Sequence, residues 1–291
     1  MSNSPLLPAA SLLRPGIADG YYPERPASNA SSIEKFIHGC KGFVNTTATA
    51  PDCWKRIVAK VDEHGSKLKN LSDRRLSEVC RDLRINLRRQ GLVDELICQS
   101  FALVRETSYR TIGMNHFDCQ LAGGWVIIHG YLAEMATGEG KTLTATLAAA
   151  TAALASIPVH VVTVNDYLVT RDVELMGPVY RALGLSVAAV TADMDEDQRR
   201  AGYANDIAYC TNKQLAFDYL RDRILLGGDQ NRLRLQLEKL HKTKARSGRL
   251  FLRGLCFAIV DEADSVLVDE ARTPLIISRK KDSNEREKLS S

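Results

Sequence analysis

The chain has 291 residues, 45% hydrophobic and 25% charged, a balance that fits a globular protein with a substantial core and excludes a disordered or collagen-like one. Its net charge is only +4, so it is no polycation, and any affinity for nucleic acid or anionic lipid has to come from a local patch. The seven cysteines (Cys40, Cys53, Cys80, Cys98, Cys119, Cys210 and Cys256) lie far apart with no C-x-x-C pair, which reads as reduced thiols in a cytosolic protein and suggests no metal site built from protein ligands.

Residues 1–50 are rich in Pro, Ser, Ala, Asn and Thr and show no sustained period, so they read as an irregular or flexible lead-in, with one short helix expected over Ser31–Phe43. The start lacks the basic and apolar regions of a secretory signal. Residues 51–113 turn helical. Leu76, Val79, Leu83 and Leu87 share one face of a helix that Ser72 or Asp73 can cap and Gly91 stops. Its other face carries Arg74, Arg75, Arg81, Arg84 and Arg88, the composition of a solvated surface. A second helix, with Val93, Leu96, Ile97, Phe101 and Val104 inward, runs towards Gly113.

The stretch Leu132-Ala-Glu-Met-Ala-Thr-Gly-Glu-Gly-Lys-Thr-Leu-Thr144 follows two apolar runs, Trp125–Ile128 and Tyr131–Ala133, which predict a strand. After it, Leu143, Leu147, Ala150 and Leu154 recur at helical spacing. Strand, glycine loop and helix in that order make a phosphate cradle. Gly138 and Gly140 lack a Cβ, so the backbone can turn its N–H groups towards phosphate oxygens while the new helix directs its positive end there. Lys141 then reaches the outer phosphates and the Thr142 hydroxyl can ligate Mg2+. The strict loop pattern asks for glycine at 135, where this chain has Met135. The alanine-rich run Leu147–Pro158 is too short to cross a bilayer.

Strands and helices then alternate. Val159–Val164 reads as a buried strand, Arg171–Leu183 as a helix, Ser186–Thr191 as a strand, Asp195–Ala204 as a polar helix, Ile207–Cys210 as a strand and Lys213–Leu225 as a helix. Such alternation implies right-handed crossovers and a parallel sheet flanked by helices, with ligands at the carboxyl ends of the strands. Residues 227–253 interrupt it with a basic insertion, read as a solvated amphipathic hairpin or helix; a contact for anionic lipid is the sharper alternative. Only Phe251 interleaves an aromatic with these charges, which weakens a single-strand nucleic-acid reading. The run Leu255–Val260 then predicts a buried strand ending in Asp261 and Glu262. There a nucleotide-bound Mg2+ would compensate the carboxylates, Asp261 serving the ion and Glu262 activating a water.

Paired, these motifs resemble the first motor lobe of superfamily-2 translocases, and the surrounding strings narrow the likeness. His116-Phe-Asp-Cys-Gln-Leu-Ala-Gly-Gly124, Ala133-Glu-Met, Thr137-Gly-Glu-Gly-Lys-Thr-Leu143, Val161-Val-Thr-Val-Asn-Asp-Tyr-Leu168, Phe217-Asp-Tyr-Leu-Arg-Asp222, Val260-Asp-Glu-Ala-Asp-Ser265 and Asp269-Glu-Ala-Arg-Thr-Pro-Leu-Ile-Ile-Ser278 resemble the SecA family, ATPases that drive preproteins through the bacterial Sec channel. The resemblance runs from about Leu71 to Ser278 and implies a RecA-like P-loop lobe over 114–278, preceded by the helical segment and followed by a charged tail, 279–291.

By that resemblance Gln120 would read the adenine edge; Thr137, Gly138, Glu139, Gly140, Lys141 and Thr142 would hold the phosphates; Thr142 and Asp261 would serve Mg2+; and Glu262, Asp261 and Lys141 would carry ATP hydrolysis. Asp222 and Arg272 match positions the family uses for coupling between lobes. The implied partners are a preprotein, the Sec channel, a second motor lobe in trans and acidic lipids through peripheral contact, with no specific nucleic acid. The implied location is the cytoplasm and the inner face of the bacterial cell membrane.

The chain departs from the family in having Ala136 and Asn115 where basic residues are usual, in a longer basic insertion, and in ending after 279–291 without a second lobe. An arginine from the opposite lobe is worth about a thousandfold or more in rate, so the expectation is nucleotide binding without efficient solitary turnover. A nucleic-acid helicase of the same superfamily, or a non-catalytic nucleotide-binding module, is the alternative.

Overall fold

The computed structural model describes residues 53–226 and 246–269. The expected helix over 31–43, most of the basic insertion, Arg272 and the 279–291 tail lie outside the described residues. The first helices are α1 (Cys53–Leu68), α2 (Asp73–Gln90) and α3 (Asp94–Ile112). Ser72 accepts the Arg75 N–H to start α2, and Gly91, at φ 83°, ends it. Leu76, Cys80, Leu83 and Leu87 are its buried stripe, with Cys80 in the place expected for Val79, which is 36% exposed; Val93, expected inward, is the exposed N-cap of α3. The arginine face is not wholly solvated. Arg84 Nη2 donates to the Gly184 carbonyl at 3.2 Å and Arg88 Nε to Ser156 Oγ at 2.6 Å, so α2 is tied to the sheet-bearing half of the chain.

Next come α4 (Asp118–Ile128) and α5 (Lys141–Leu154). The strand expected over Trp125–Ile128 is the last turn of α4, and Tyr131–Ala136 has no regular structure. A short apolar run has no period of its own that separates strand from buried helix. Here the close approach of α5 accounts for the helix. A Cβ on Gly124 would lie 2.8 Å from Leu147 Cδ1 and 2.9 Å from Leu147 Cβ, and one on Gly123 would lie 3.0 Å from Thr144 Cγ2. The two glycines therefore present a flat patch on which α5 packs. Gly130, at φ 78°, then closes α4 with its N–H on the Ile127 carbonyl at 2.9 Å.

The remaining elements are β1 (Val159–Thr163), α6 (Asp166–Ala182), β2 (Val187–Val190), α7 (Glu196–Tyr203), β3 (Ile207–Thr211), α8 (Asn212–Leu226), a 3-10 turn (Arg246–Arg249), β4 (Phe257–Val260) and a π turn (Ser265–Asp269). Helix α6 starts five residues before the expected Arg171, because the Asn165 side chain caps it by accepting the Leu168 N–H at 2.9 Å. The strands form one parallel sheet in the order β2-β3-β1-β4. All five residues of β1 and of β3 are buried, as central parallel strands demand.

Both faces of the sheet are covered. Val159, Val161, Ile207 and Tyr209 belong to the large core shared with α1–α6, while Val162, Ala208 and Cys210 pack with Tyr203, Leu226, Phe251 and Leu252 on the other side. Alternation along each strand divides the two cores. On that second face α8 acts as a clasp. Asp218, fully buried, accepts from Arg199 Nη1 at 2.7 Å, Gln214 Nε2 at 2.6 Å and Tyr203 OH at 3.2 Å. One turn on, the Asp222 carboxylate accepts the N–H groups of Phe251 and Leu252 at 2.8 and 2.9 Å. The segment entering β4 is thus held on the lobe before the strand begins. No described helix is long and apolar enough to cross a membrane, and Cys80, Cys98, Cys119, Cys210 and Cys256 are free thiols.

Because Leu147 Cβ is not the end of a flexible chain, Gly124→Val is expected to separate α4 from α5 and to lower stability by about 1–3 kcal/mol. Chemical denaturation of the two forms checks this; an unchanged midpoint would show that the glycine patch is not needed.

Candidate nucleotide site

The loop before α5 has the conformation its glycines permit. Gly138 sits at φ 92° and Gly140 at φ 78°, a region that favours glycine, and Gly140 occupies the N-cap of α5. The first turn of any helix has N–H groups without intrahelical partners, and here they open onto an exposed loop. Lys141 is exposed and Thr142 half-buried at that turn. A Cβ at Gly138 would meet nothing within 4 Å, so the approach to the loop is open.

Two side chains brace the loop. Gln120 is 4% exposed; its Nε2 donates to the Glu139 carbonyl at 2.7 Å and its Oε1 accepts the Phe117 N–H at 3.0 Å. A Cβ at Gly140 would collide with Gln120 Nε2, so glycine there is also what lets the brace reach the loop. The Glu139 carboxylate turns back to accept the Ala136 N–H at 3.0 Å, closing a tight turn over 136–139. Gln120 keeps a second Nε2–H and a second Oε1 lone pair beyond these bonds, the groups with which an amide would read an adenine edge, the task the resemblance assigns to it.

Beneath the loop, His116 is 3% exposed and its Nε2 lies 3.0 Å from the Leu143 carbonyl and 3.2 Å from Thr146 Oγ1, while Nδ1 is buried without a partner. Burial, only partly opposed by the bond to Leu143, lowers its pKa to about 4, so the ring is neutral at physiological pH. The same cause lowers His160 of β1 to about 4.

The acidic pair lies at the same edge of the sheet as the loop. Helix α5 spans about 21 Å. Only Ala155–Pro158 joins it to β1, so its first turn lies beside the carboxyl end of that strand. Strand β4 runs parallel to β1 with Val260 opposite Val162, and the Asp261 N–H continues the ladder to the Val162 carbonyl at 2.8 Å. Asp261 and Glu262 therefore emerge at the carboxyl edge, which is where α5 begins. One expectation is corrected: among the described strands β4 lies at the edge with Ala258 exposed, and Asp261 is half-buried and Glu262 exposed rather than enclosed. Glu262 holds a left-handed backbone, φ 53°, with its N–H on Asp261 Oδ1 at 3.1 Å. A non-glycine residue there stores strain of about 1 kcal/mol or more.

Asp172 was not anticipated. It is 2% exposed on the inner face of α6 and its Oδ1 accepts both Nε and Nη2 of Arg171, at 2.9 and 2.7 Å. Burial raises its pKa, against Arg171, and the charge of Asp261 adds to the rise. Its sequence signal was legible: Val169, Asp172, Met176 and Tyr180 share one helical stripe, with a carboxylate among apolar residues.

Residues 41–291 match the family described as SecA DEAD-like domain. The chain is similar to a protein translocase subunit SecA 2 of Bordetella avium, 49% identical over 89% of this chain and 40% of that protein. It is also similar to a protein translocase subunit SecA 3 of Magnetococcus marinus, 52% identical over 77% of this chain and 34% of that one. A protein translocase subunit SecA of Thermus thermophilus is 47% identical over 81% of this chain and 22% of its own length. The chain thus spans two fifths or less of these relatives.

Two outcomes follow from the geometry. Gln120→Ala is expected to weaken binding of tripolyphosphate as well as ATP, by about tenfold for one charge-independent brace lost; calorimetric titration with both ligands measures it, and loss for ATP alone would make Gln120 a base reader instead. The two buried histidines have folded pKa values below the unfolded 6.5, so stability is full above that pH and falls as pH drops towards about 4, by up to on the order of 3 kcal/mol each. Denaturation midpoints between pH 7 and pH 4.5 should decline, and His160→Gln should remove part of the slope.

Proposed function

The chain belongs to the SecA DEAD-like domain family, and on that premise we propose that it binds ATP with Mg2+ as the nucleotide-binding motor lobe of a protein translocase. The observation that supports this reading is the common edge: the glycine loop opens α5 and the two carboxylates follow β4 on the carboxyl side of one parallel sheet. The backbone of Gly138–Thr142 cradles the phosphates, and Lys141 neutralises the outer ones. The donor set suits Mg2+. Among the described residues no three His, Cys, Asp or Glu gather to hold a metal by themselves. An ion at Thr142 and Asp261 therefore relies on phosphate oxygens and water for its other ligands, which is how Mg2+ binds in such sites.

When bound, Mg2+ supplies charge neutralisation between the outer phosphates. Glu262 accepts the proton of the attacking water, and its backbone, turned by the positive φ and held by Asp261, orients that carboxylate at the rim. Asp222, which holds the backbone of Phe251 and Leu252 ahead of β4, is proposed to couple this lobe to its neighbours, as the resemblance implies. The relatives are named protein translocase subunits; coupling to a preprotein and the Sec channel, with Arg272 linking this lobe to a second motor lobe supplied in trans, extends the proposal to that role. Contact with acidic lipid through the basic insertion extends the same reading, at the cytoplasmic face of a bacterial membrane; no specific nucleic acid is required.

A fluorescent ATP analogue titrated into the 291-residue chain tests the site. Lys141→Ala should weaken binding by about tenfold or more, the loss of one charge-assisted contact. Glu262→Gln should keep the affinity and lower single-turnover hydrolysis about 10²–10⁴-fold. Equal affinity of wild type and Lys141→Ala would overturn the reading.

A further inference from the structure

We infer that Phe251 is a positioning residue for Asp261: its ring, gripped by two arginines of α7, fixes the segment entering β4 and so the place at which that strand delivers its carboxylate to the sheet's edge. The inference rests on the nucleotide reading above and deepens it, since Asp261 is the carboxylate that reading gives to Mg2+. Strand β4 needs such a hold. It has four residues, pairs with β1 alone among the described strands, and fully buries only Ile259. A segment with one neighbour and few buried contacts opens more readily than a central strand. The ladder bond from the Asp261 N–H to the Val162 carbonyl lies at the far end of this weakly packed strand.

Ahead of β4, three consecutive residues are anchored. Phe251 and Leu252 are buried in the second core, with their N–H groups on the Asp222 carboxylate. Arg253 donates from Nε to the Tyr203 carbonyl at 3.2 Å and from Nη2 to the Asn205 carbonyl. The centroid of the Phe251 ring lies 5.0 Å from the Arg199 guanidinium carbon and 5.6 Å from that of Arg200, both within cation–π range. Arg199 depends on that ring. Its Nη1 is held by the buried Asp218 at 2.7 Å, but its Nε is buried with no hydrogen-bond partner. The ring offers this guanidinium electron density in a desolvated place where hydrogen bonding leaves Nε unserved. Arg200, bonded to Asp197, reaches the ring from the next position on α7. Helices α7 and α8 are thereby tied to the one segment whose next element carries the acids. A leucine at 251 would keep an apolar side chain and offer no π-face, whereas a tyrosine would keep the face.

The test separates positioning from bulk packing. When a fluorescent ATP analogue is titrated into the whole chain, Phe251→Leu should leave the affinity without Mg2+ unchanged. It should raise the Mg2+ concentration needed for the Mg2+-dependent gain about tenfold or more, the scale on which groups behind a metal ligand act. Phe251→Tyr should behave as wild type. Amide hydrogen exchange gives a readout free of ligand: in Phe251→Leu, protection should fall over β4 and Asp261 and stay at the wild-type level over β1 and β3. Arg200→Met removes one of the two guanidinium groups; it should shift both readouts the same way and by less, and it decides the matter if Phe251→Leu does not fold. Equal losses with and without Mg2+, an unchanged Mg2+ dependence, a Phe251→Tyr defect as large as that of Phe251→Leu, or protection that is unchanged at β4 or lost from all strands alike would overturn the inference and leave the nucleotide reading standing. Wild-type chain whose ATP affinity ignores Mg2+ would overturn the metal reading, and the positioning role with it.

Discussion

The short link from α5 to β1 is the constraint on which the site depends. Four residues, Ala155–Pro158, cannot carry the chain far, so the helix must double back along the strand and bring its first turn to the strand's carboxyl end. The β1–β4 register does the rest by extending one ladder bond to the Asp261 N–H. Neither half has to be placed by the flexible reach of a side chain. The glycine loop and the acids are set by backbone bonds and by the burial of all five β1 residues between two cores. Such positioning is stiff because shifting the register by one residue would turn Val161 and Val162 to the wrong faces.

Polar groups under the site are arranged to hold the loop without competing for its ligand face. His116 and Gln120 come from the segment before and within α4, and both reach carbonyls of the loop or of the helix it opens. Their burial matters energetically. A neutral His116 can stay in an apolar setting, and Gln120, bonded through both its oxygen and its nitrogen, avoids the desolvation cost of an unpaired amide. Across the sheet, the Asp218 and Asp222 carboxylates perform the matching task for β4, one anchoring α8 on α7 and the other holding the backbone at Phe251 and Leu252. The site is thus supported from both faces of the sheet by groups that do not face its rim.

The helical segment is joined to the lobe in the same manner. Packing between α1, α3, α4 and α5 merges it with the larger core, and Arg84 and Arg88 add polar ties at Gly184 and Ser156. An amphipathic period shows which face of α2 is apolar, but not that two arginines of its polar face, Arg84 and Arg88, have a carbonyl partner 100 residues and a hydroxyl partner 68 residues further along the chain. Charge composition alone describes solvation, and long-range partners for long side chains are a property of the fold.

What the sequence determined by itself is whatever depends on local period and on glycine: the buried central strands β1 and β3, the ends of α2 and α3 at Gly91 and Gly113, the left-handed turns at Gly138 and Gly140, and the parallel class that alternating strands and helices impose. Motif strings carried the family, which the match over residues 41–291 shows. Tertiary structure decided the rest. The run Trp125–Ile128 became helix because Gly123 and Gly124 let α5 approach; β4 became an edge because no described strand pairs on its outer side; and the Gln120 amide closed on the loop because burial demands partners for both its ends. Each of these outcomes turns on which atoms meet across long stretches of chain, and a pattern read along the chain holds no distance of that kind.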